Sequence, residues 1–231
     1  MAISNDTRAR AKKVGLPIAL FLGRLGLTPD ALTLIGFAIT AGGAALLALQ
    51  VWVVGGIVVF VGGVFDMFDG TLARATGRVS RLGAFMDSVF DRWGEALVYV
   101  GLVAGLAASG WANAPVYPAA AMASAFLVSY ARAKSEGLGF SPGTGMAAVG
   151  VMPREIRLVI LCGGLILGGF LGIDMVTAGG GAGGAATPVG ILVIEGALAI
   201  IAIGATITVV QRILHTRAQA RTTGGAVDRA S

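Results

Sequence analysis

Cysteine and histidine are almost absent from this chain of 231 residues, which has one cysteine, Cys162, and one histidine, His215. A single cysteine excludes an intrachain disulfide framework and a cysteine-based metal site. His215 follows the last apolar stretch and is interpreted as an interfacial residue. Any bound metal must therefore be held by oxygen ligands.

Charged residues are also scarce, at 13% of the chain, whereas an ordinary soluble domain has about 25%. Hydrophobic residues make up 56%, which argues against a soluble monomer. Six apolar stretches approach the length needed to cross a hydrocarbon core of about 30 Å, and with their loops they leave no room for a second, water-soluble domain. The sequence predicts an all-α, polytopic membrane protein with six transmembrane helices, near 31–50, 52–72, 82–108, 117–136, 154–173 and 188–213.

The N-terminal segment is basic and then briefly apolar. Its apolar run, Val14 to Leu22, is too short to span a bilayer, and Arg24 follows it closely. Residues 5–26 are therefore predicted to form an amphipathic helix on the membrane surface. Thr28, Pro29 and Asp30 then start the first span. The predicted organisation is a juxtamembrane segment 1–26, a six-helix domain 27–214 and a polar tail 215–231.

The positive charges lie on one side of this arrangement. Alternating the six spans puts both termini and the loops near 73–81 and 137–153 on one side, with the loops near 51, 109–116 and 174–187 opposite. All 17 lysines and arginines fall on the first side or at helix ends facing it. The positive-inside rule predicts a multi-pass cell-membrane protein with that side in the cytoplasm, and it assigns the net charge to a membrane surface, not to nucleic acid.

Four aspartates are concentrated at the end of the second span and the start of the third: Asp66, Asp69, Asp87 and Asp91. A carboxylate near membrane depth costs about 2.5 to 3.5 kcal/mol, so it indicates function. Spacings of three and four residues put each pair on one helix face. Because the connection between the two helices is short, these faces are expected to meet.

Four clustered carboxylates need compensating positive charge. Oxygen ligands on rigid helices favour Mg²⁺ or Mn²⁺, and Ca²⁺ is also compatible; about two such ions would balance four aspartates. The alternative is a structural ion-pair cluster, in which part of the compensating positive charge comes from nearby arginines: Arg74, Arg78, Arg81 and Arg92. The neighbours favour a phosphate ligand instead, because Gly70 and Ala73 leave space beside the acids and Arg74 offers a fork of donors.

These residues form a bipartite motif. From Asp66 it reads Asp-x-x-Asp-Gly-x-x-Ala-Arg, then eight residues, then Gly-x-x-x-Asp-x-x-x-Asp, ending at Asp91. It closely resembles the signature of the CDP-alcohol phosphotransferases. The six spans and the Thr-Pro-Asp start are also similar to that family along most of the chain.

The resemblance implies transfer of a phosphatidyl-type group from a CDP-linked lipid, CDP-diacylglycerol, to an alcohol, with release of CMP. It implies that Asp66, Asp69 and Asp87 hold two Mg²⁺ ions, or Mn²⁺, and that Asp91 contacts the second metal and acts as the base on the acceptor hydroxyl. It further implies a homodimer. The residues implied for the CDP-lipid site are Asp30, Ala31, Leu32, Thr33, Gly70, Ala73, Arg74 and Ser80.

The acceptor is expected to carry a phosphate. Arg132, Arg154, Arg157 and Arg212 lie at the ends of the last three spans, where a neutral or cationic alcohol would gain nothing from them. Taken singly, each could instead be a membrane anchor. The sequences around them are similar to those of the phosphatidylinositol phosphate synthases and their archaeal counterparts, which implies inositol phosphate as acceptor.

Other interpretations remain open at this stage. Glycerol-3-phosphate is an alternative acceptor, because the match around Arg132 and Lys134 departs from the usual pattern. An intramembrane prenyltransferase would carry two separated aspartate-rich motifs, and a membrane cation transporter would place acids near the bilayer midplane. Glu95, one turn beyond Asp91, is either a partner of the aspartate cluster or a hydrogen-bonded protonated carboxyl.

Overall fold

The computed structural model describes the backbone of residues 5–140, 145–146, 149–173 and 188–227, and the side chains of residues 15–140, 145–146, 149–172 and 189–221. The predicted loop near 174–187 and part of the one near 137–153 lie outside these ranges. The described chain is all-helical, as expected. Its helices are α1 (Asn5–Arg24), α2 (Pro29–Ala48), α3 (Trp52–Ala75), α4 (Arg81–Ala108), α5 (Val116–Gly137), α6 (Arg154–Ile173) and α7 (Pro188–Val227).

The last helix is longer than predicted. We expected the last span to end near 213 and a polar tail to begin at 215, but α7 runs for 40 residues to Val227. The stretch from Leu214 to Arg221 contains leucine, alanine, glutamine and arginine, which favour helix, and it has no proline. The polar composition that suggested a tail is therefore compatible with continuation of the helix.

Four of the described helices, α2, α3, α6 and α7, are long and apolar enough to cross a membrane by length and composition. Helices α4 and α5 do not meet this criterion, although we predicted six spans. The first fifteen residues of α4 include Asp87, Asp91, Arg92 and Glu95, and the end of α5 carries Arg132, Lys134 and Glu136. These charges shorten the apolar stretch of each helix.

Side chains cap the N-termini of α2 and α4, the two helices whose first turns lie near the aspartates. Thr28 caps α2, where its hydroxyl accepts a hydrogen bond from the Ala31 amide at 3.2 Å and Pro29 occupies the first turn. Ser80 caps α4 in the same way, accepting from the Gly83 amide at 2.9 Å. Each cap satisfies one of the amides that a helix start leaves without a partner.

Helix α2 packs against both α3 and α4 through glycines, α3 also contacts α6 and α1, and α5 and α6 pack on α7. A Cβ at Gly62 would lie 2.3 Å from the Thr40 hydroxyl and 3.2 Å from the Gly36 carbonyl oxygen. The backbones of α2 and α3 therefore approach closely one turn before Asp66, which brings the start of α2 to the aspartates. The apolar core, including Leu47, Leu102 and Leu165, fills the other half of the bundle.

The contact between α4 and the end of α2 predicts a selective effect on stability. A Cβ at Gly105 would lie 2.2 Å from the Leu47 carbonyl oxygen, and backbone cannot move aside cheaply. We expect Gly105→Ala to destabilise the protein by about 1 to 3 kcal/mol, seen as a lower midpoint of thermal unfolding in detergent. The matched control is Gly42→Ala, because a Cβ there meets nothing within 4 Å. Equal midpoints for the two variants would contradict this packing.

Candidate active site

Three of the four aspartates meet between α3 and α4. Asp66, Asp69 and Asp87, here called the carboxylate triad, each place one oxygen within 4.8 Å of the others. The connection from Thr76 to Ser80 is short, and Gly77 takes a positive φ of 67° within it. This tight turn returns the chain so that the two aspartate-bearing faces oppose each other, as the spacing predicted.

Asp91 lies beside the triad and is held by arginine. Its Oδ2 is 2.6 Å from Nη1 of Arg154, and the same nitrogen is 3.0 Å from Oδ2 of Asp66. Arg92 Nη2 approaches Asp91 Oδ2 at 3.7 Å. The other oxygen, Oδ1, is buried and has no hydrogen-bond partner among the residues that the structure describes. Asp91 thus keeps one oxygen available.

Asp69 is the most enclosed member of the triad, with 5% of its surface exposed. Thr33 on α2 donates its hydroxyl to Asp69 Oδ2, and the Gly70 amide donates to Oδ1. Sequence reasoning missed the hydrogen bond between Thr33 and Asp69, because it joins residues 36 positions apart on different helices. The close approach of α2 and α3 at Gly62 makes it possible.

The triad suits a divalent cation. All its ligand atoms are carboxylate oxygens, the donors that Mg²⁺ and Mn²⁺ prefer. Three carboxylates within such short distances repel one another unless a cation lies between them. Asp91 lies beside this group, because its Oδ2 shares the Arg154 Nη1 nitrogen with Oδ2 of Asp66. The residues present therefore fit a metal site with oxygen ligands.

A cavity of about 230 Å³ opens from the triad toward the start of α2 and is here called the α2–α4 cavity. Six of the eight residues predicted for the CDP-lipid line it, together with Asp69 and Asp87. The six are Asp30, Thr33, Gly70, Ala73, Arg74 and Ser80. Arg78, which we did not assign to the site, also lines it.

The other two predicted residues are placed differently. Leu32 is fully buried in an apolar cluster with Ala19 of α1 and Leu72 of α3, so its side chain packs between helices. The Ala31 amide is the group that the Thr28 cap satisfies. Consecutive residues of a helix point to different faces, and a run of four cannot line one cavity.

A second cavity, of about 450 Å³, is lined by Asp91 and is here called the arginine cavity. All four arginines predicted for the acceptor line it, although they come from three helices that are distant in sequence. Asp91, Ser88, Ser129, Glu136 and Glu155 also contribute, and Arg92 adds a fifth arginine that we had not assigned there.

Two of these arginines are deeply buried, which membrane anchoring does not explain. Arg157 is 2% exposed and donates to Glu95 Oε1 through Nη2 at 2.9 Å and Nε at 3.3 Å. Arg212 is 5% exposed and donates to the Val149 and Val128 carbonyl oxygens. Arg132 is half-exposed and pairs with Glu136 at 3.0 Å. Glu95, for which a partner of the aspartate cluster and a protonated carboxyl were both left open above, forms ion pairs with Arg92 and Arg157 in the structure.

Taken together, the fold and site define a class of helical protein with apolar, membrane-length helices, a carboxylate group that fits a divalent cation, and two cavities lined by members of the aspartate cluster. Each cavity carries arginines suited to an anionic ligand. Asp91 lines the arginine cavity, and its Oδ1 has no hydrogen-bond partner in the part of the chain that the structure describes. The arrangement can bring two phosphate-bearing ligands to one metal centre.

Comparison with known proteins identifies the family. Residues 26–207 match the family model of CDP-alcohol phosphatidyltransferases. Phosphatidylinositol phosphate synthase of Mycobacteroides abscessus is 32% identical over 98% of this chain and 90% of its own length. Archaetidylinositol phosphate synthase of Pyrococcus horikoshii is 36% identical over 67% of this chain and 77% of its own.

Solved structures show the same fold. Mycobacterium tuberculosis phosphatidylinositol phosphate synthase with CDP-DAG bound superposes with a TM-score of 0.69 at 27% identity, covering 88% of this chain and 94% of that one. The same enzyme in complex with manganese and citrate gives a TM-score of 0.70 at 27% identity, covering 87% and 88%.

The chain belongs to the CDP-alcohol phosphatidyltransferase family, and it is a transferase of phospholipid synthesis. This confirms the resemblance that the bipartite motif carried. Family membership favours the transferase over a prenyltransferase or a cation transporter.

Proposed function

We propose that the protein transfers the phosphatidyl group of CDP-diacylglycerol to the hydroxyl of a phosphorylated alcohol, inositol phosphate, and releases CMP. The observation that carries this proposal is the arginine cavity beside Asp91: five arginines from four helices line one space that meets the carboxylate site. The names of the relatives, which are phosphatidylinositol phosphate and archaetidylinositol phosphate synthases, support it.

In this proposal the CDP-lipid occupies the α2–α4 cavity. Arg74 and Arg78 supply donors to its diphosphate, and the absence of a side chain at Gly70 leaves room beside Asp69. A Cβ at Gly70 would come within 3.2 Å of Arg74 Nη1, so a larger residue would displace that arginine. The diphosphate would thereby lie next to the triad.

We propose that Asp66, Asp69 and Asp87, with Asp91, hold two Mg²⁺ ions, and that Mn²⁺ can replace them. When bound, such ions neutralise the diphosphate and stabilise the charge on the departing CMP. A related structure that contains manganese supports the choice of a divalent cation. The Thr33 hydroxyl and Gly70 amide fix the orientation of Asp69 and so prepare the site.

Asp91 is proposed as the base. It takes the proton of the acceptor hydroxyl, whose oxygen forms a bond to the lipid-side phosphorus of the diphosphate. The bond from that phosphorus to the bridging oxygen breaks, and CMP leaves with that oxygen and its electron pair. Asp91 lines the cavity assigned to the acceptor, and its unpartnered Oδ1 supports a role in receiving the proton.

The direct test is CMP release by the purified protein with CDP-diacylglycerol and one acceptor at a time: inositol phosphate, glycerol-3-phosphate, unphosphorylated inositol and serine. We expect turnover with inositol phosphate and little with inositol. Preference for glycerol-3-phosphate would replace the proposed acceptor, and equal use of inositol would refute the phosphate pocket.

A pair of neighbouring cations tests the pocket residue by residue. Arg132 lines the arginine cavity, whereas Lys134, two positions along the same helix, is absent from its described lining. We expect Arg132→Ala to raise the KM for inositol phosphate at least about tenfold, the loss of one charge-assisted contact of about 1.5 to 3 kcal/mol. The KM for CDP-diacylglycerol should not change. Lys134→Ala is the control, and equal effects of the two substitutions would return Arg132 to a role as membrane anchor.

For the membrane arrangement we propose six spans and an interfacial α1, in the domain organisation predicted above. Helices α4 and α5 contain 28 and 22 residues, about 42 and 33 Å, which is enough to span. Helix α1 exposes Leu16, Ile18 and Phe21, as a helix lying in the bilayer interface would. The distribution of lysine and arginine supports a cytoplasmic active site. We also propose the homodimer that the family resemblance implies.

A further inference from the structure

Glu95 is not among the described residues that line the arginine cavity. It lines two smaller cavities of about 50 and 20 Å³ toward the interior of the bundle. Its side chain is 13% exposed. The residue therefore reaches the acceptor space only through its neighbours.

Those neighbours are two of the arginines that line the cavity. Oε1 of Glu95 accepts hydrogen bonds from Nε and Nη2 of Arg157, at 3.3 and 2.9 Å. Oε2 of Glu95 accepts a hydrogen bond from Nη1 of Arg92. The same Nη1 of Arg92 donates to the Ser129 hydroxyl at 2.8 Å. One carboxylate thereby joins α4 to α6 directly and to α5 through Arg92.

The geometry leaves Arg157 little freedom. Its third nitrogen, Nη1, donates to the Met152 carbonyl oxygen at 3.2 Å, so the guanidinium plane is held from both ends. A guanidinium that is 2% exposed also needs a paired negative charge. Without Glu95, Arg157 and Arg92 would repel each other and lose the contacts that set their directions.

We propose that Glu95 is the positioning residue of the acceptor pocket: it orients Arg92 and Arg157 so that their remaining N–H groups point at the phosphate of the acceptor. This inference rests on the proposed function and identifies what organises its acceptor site. Glu95 does not touch substrate in this proposal. Its effect is on acceptor binding and not on the chemical step.

The test is paired kinetics on Glu95→Gln and Glu95→Asp, with Glu195→Gln as the control. Glu195 is a buried acid of α7, 9% exposed, and it is not among the described residues that line either site cavity. We expect Glu95→Gln to raise the acceptor KM at least about tenfold, with kcat and the CDP-diacylglycerol KM within about threefold. Glu95→Asp should also raise it, because the shorter side chain cannot reach both arginines. The control should behave as wild type.

Two results would overturn the proposal. A normal acceptor KM in Glu95→Asp would show that charge alone suffices. Parallel changes in kcat and both KM values, together with a lower unfolding midpoint, would make Glu95 merely structural. If the wild type prefers glycerol-3-phosphate, the proposed acceptor fails, and the same comparison is made with that acceptor.

A binding measurement separates the two proposals when turnover is missing altogether. Inorganic phosphate should raise the unfolding midpoint of wild type and of Glu195→Gln, and the rise should be smaller in Glu95→Gln. If no acceptor is turned over but the phosphate response still differs between Glu95→Gln and wild type, the proposed function is refuted and the proposed role of Glu95 stands. Equal phosphate responses in Glu95→Gln and wild type would refute that role.

Discussion

Removal of divalent cations is expected to abolish turnover, and Mg²⁺ or Mn²⁺ should restore it. Asp66, Asp69 and Asp87 bring oxygens within 4.8 Å of one another, and a diphosphate would add further negative charge to the same place. Without cations the substrate is repelled and the charge on the departing CMP is not stabilised. The measurement is CMP release after treatment with a chelator and after adding back each metal.

A control separates loss of metal from loss of protein. The chelated enzyme should stay monodisperse in detergent and recover its activity fully on addition of metal. Full turnover in excess chelator would contradict the metal-dependent mechanism and would return the aspartates to a structural ion-pair cluster with Arg154.

Asp91→Asn is expected to lower kcat by roughly a hundredfold or more, the usual effect of losing a general base. Asparagine keeps the size of the side chain but cannot take a proton from the acceptor hydroxyl. Affinity for CDP-diacylglycerol should largely persist, because the α2–α4 cavity is lined by Asp69 and Asp87 and does not depend on Asp91. Single-turnover kinetics and a separate binding measurement distinguish the two quantities.

Asp66→Asn provides the comparison for this variant. It removes an oxygen of the triad and leaves the proposed base in place, so a higher concentration of Mn²⁺ should recover part of its activity. The same concentration should not rescue Asp91→Asn. Normal turnover by Asp91→Asn with intact lipid binding would mean that another group takes the proton.

The site was predictable to the extent that it depends on spacing within single helices. Asp66 and Asp69, or Asp87 and Asp91, share a helix face wherever that helix lies. The short connection between α3 and α4 then brought the two faces together, and the structure shows three of the four carboxylates grouped. Asp91 is not part of that group; it pairs with Arg154, from a distant helix, whose Nη1 also contacts Asp66.

Leu32 shows where reasoning from a contiguous segment fails. The run from Asp30 to Thr33 was assigned to one ligand, but it is helical, and Leu32 turns toward α1 and α3. Only the helix geometry separated the residues that line the cavity, Asp30 and Thr33, from those that pack or cap.

The sequence by itself determined the all-helical class, the bipartite aspartate motif and, through it, the family. These follow from composition and from spacings inside one or two adjacent helices, which local geometry sets. The tertiary structure alone decided which arginines converge, that Arg157 and Arg212 are buried, and that Glu95 ties Arg92 and Arg157 together. Those relations depend on which faces α5, α6 and α7 turn toward α4, and that orientation is set by close packing between helices far apart in sequence.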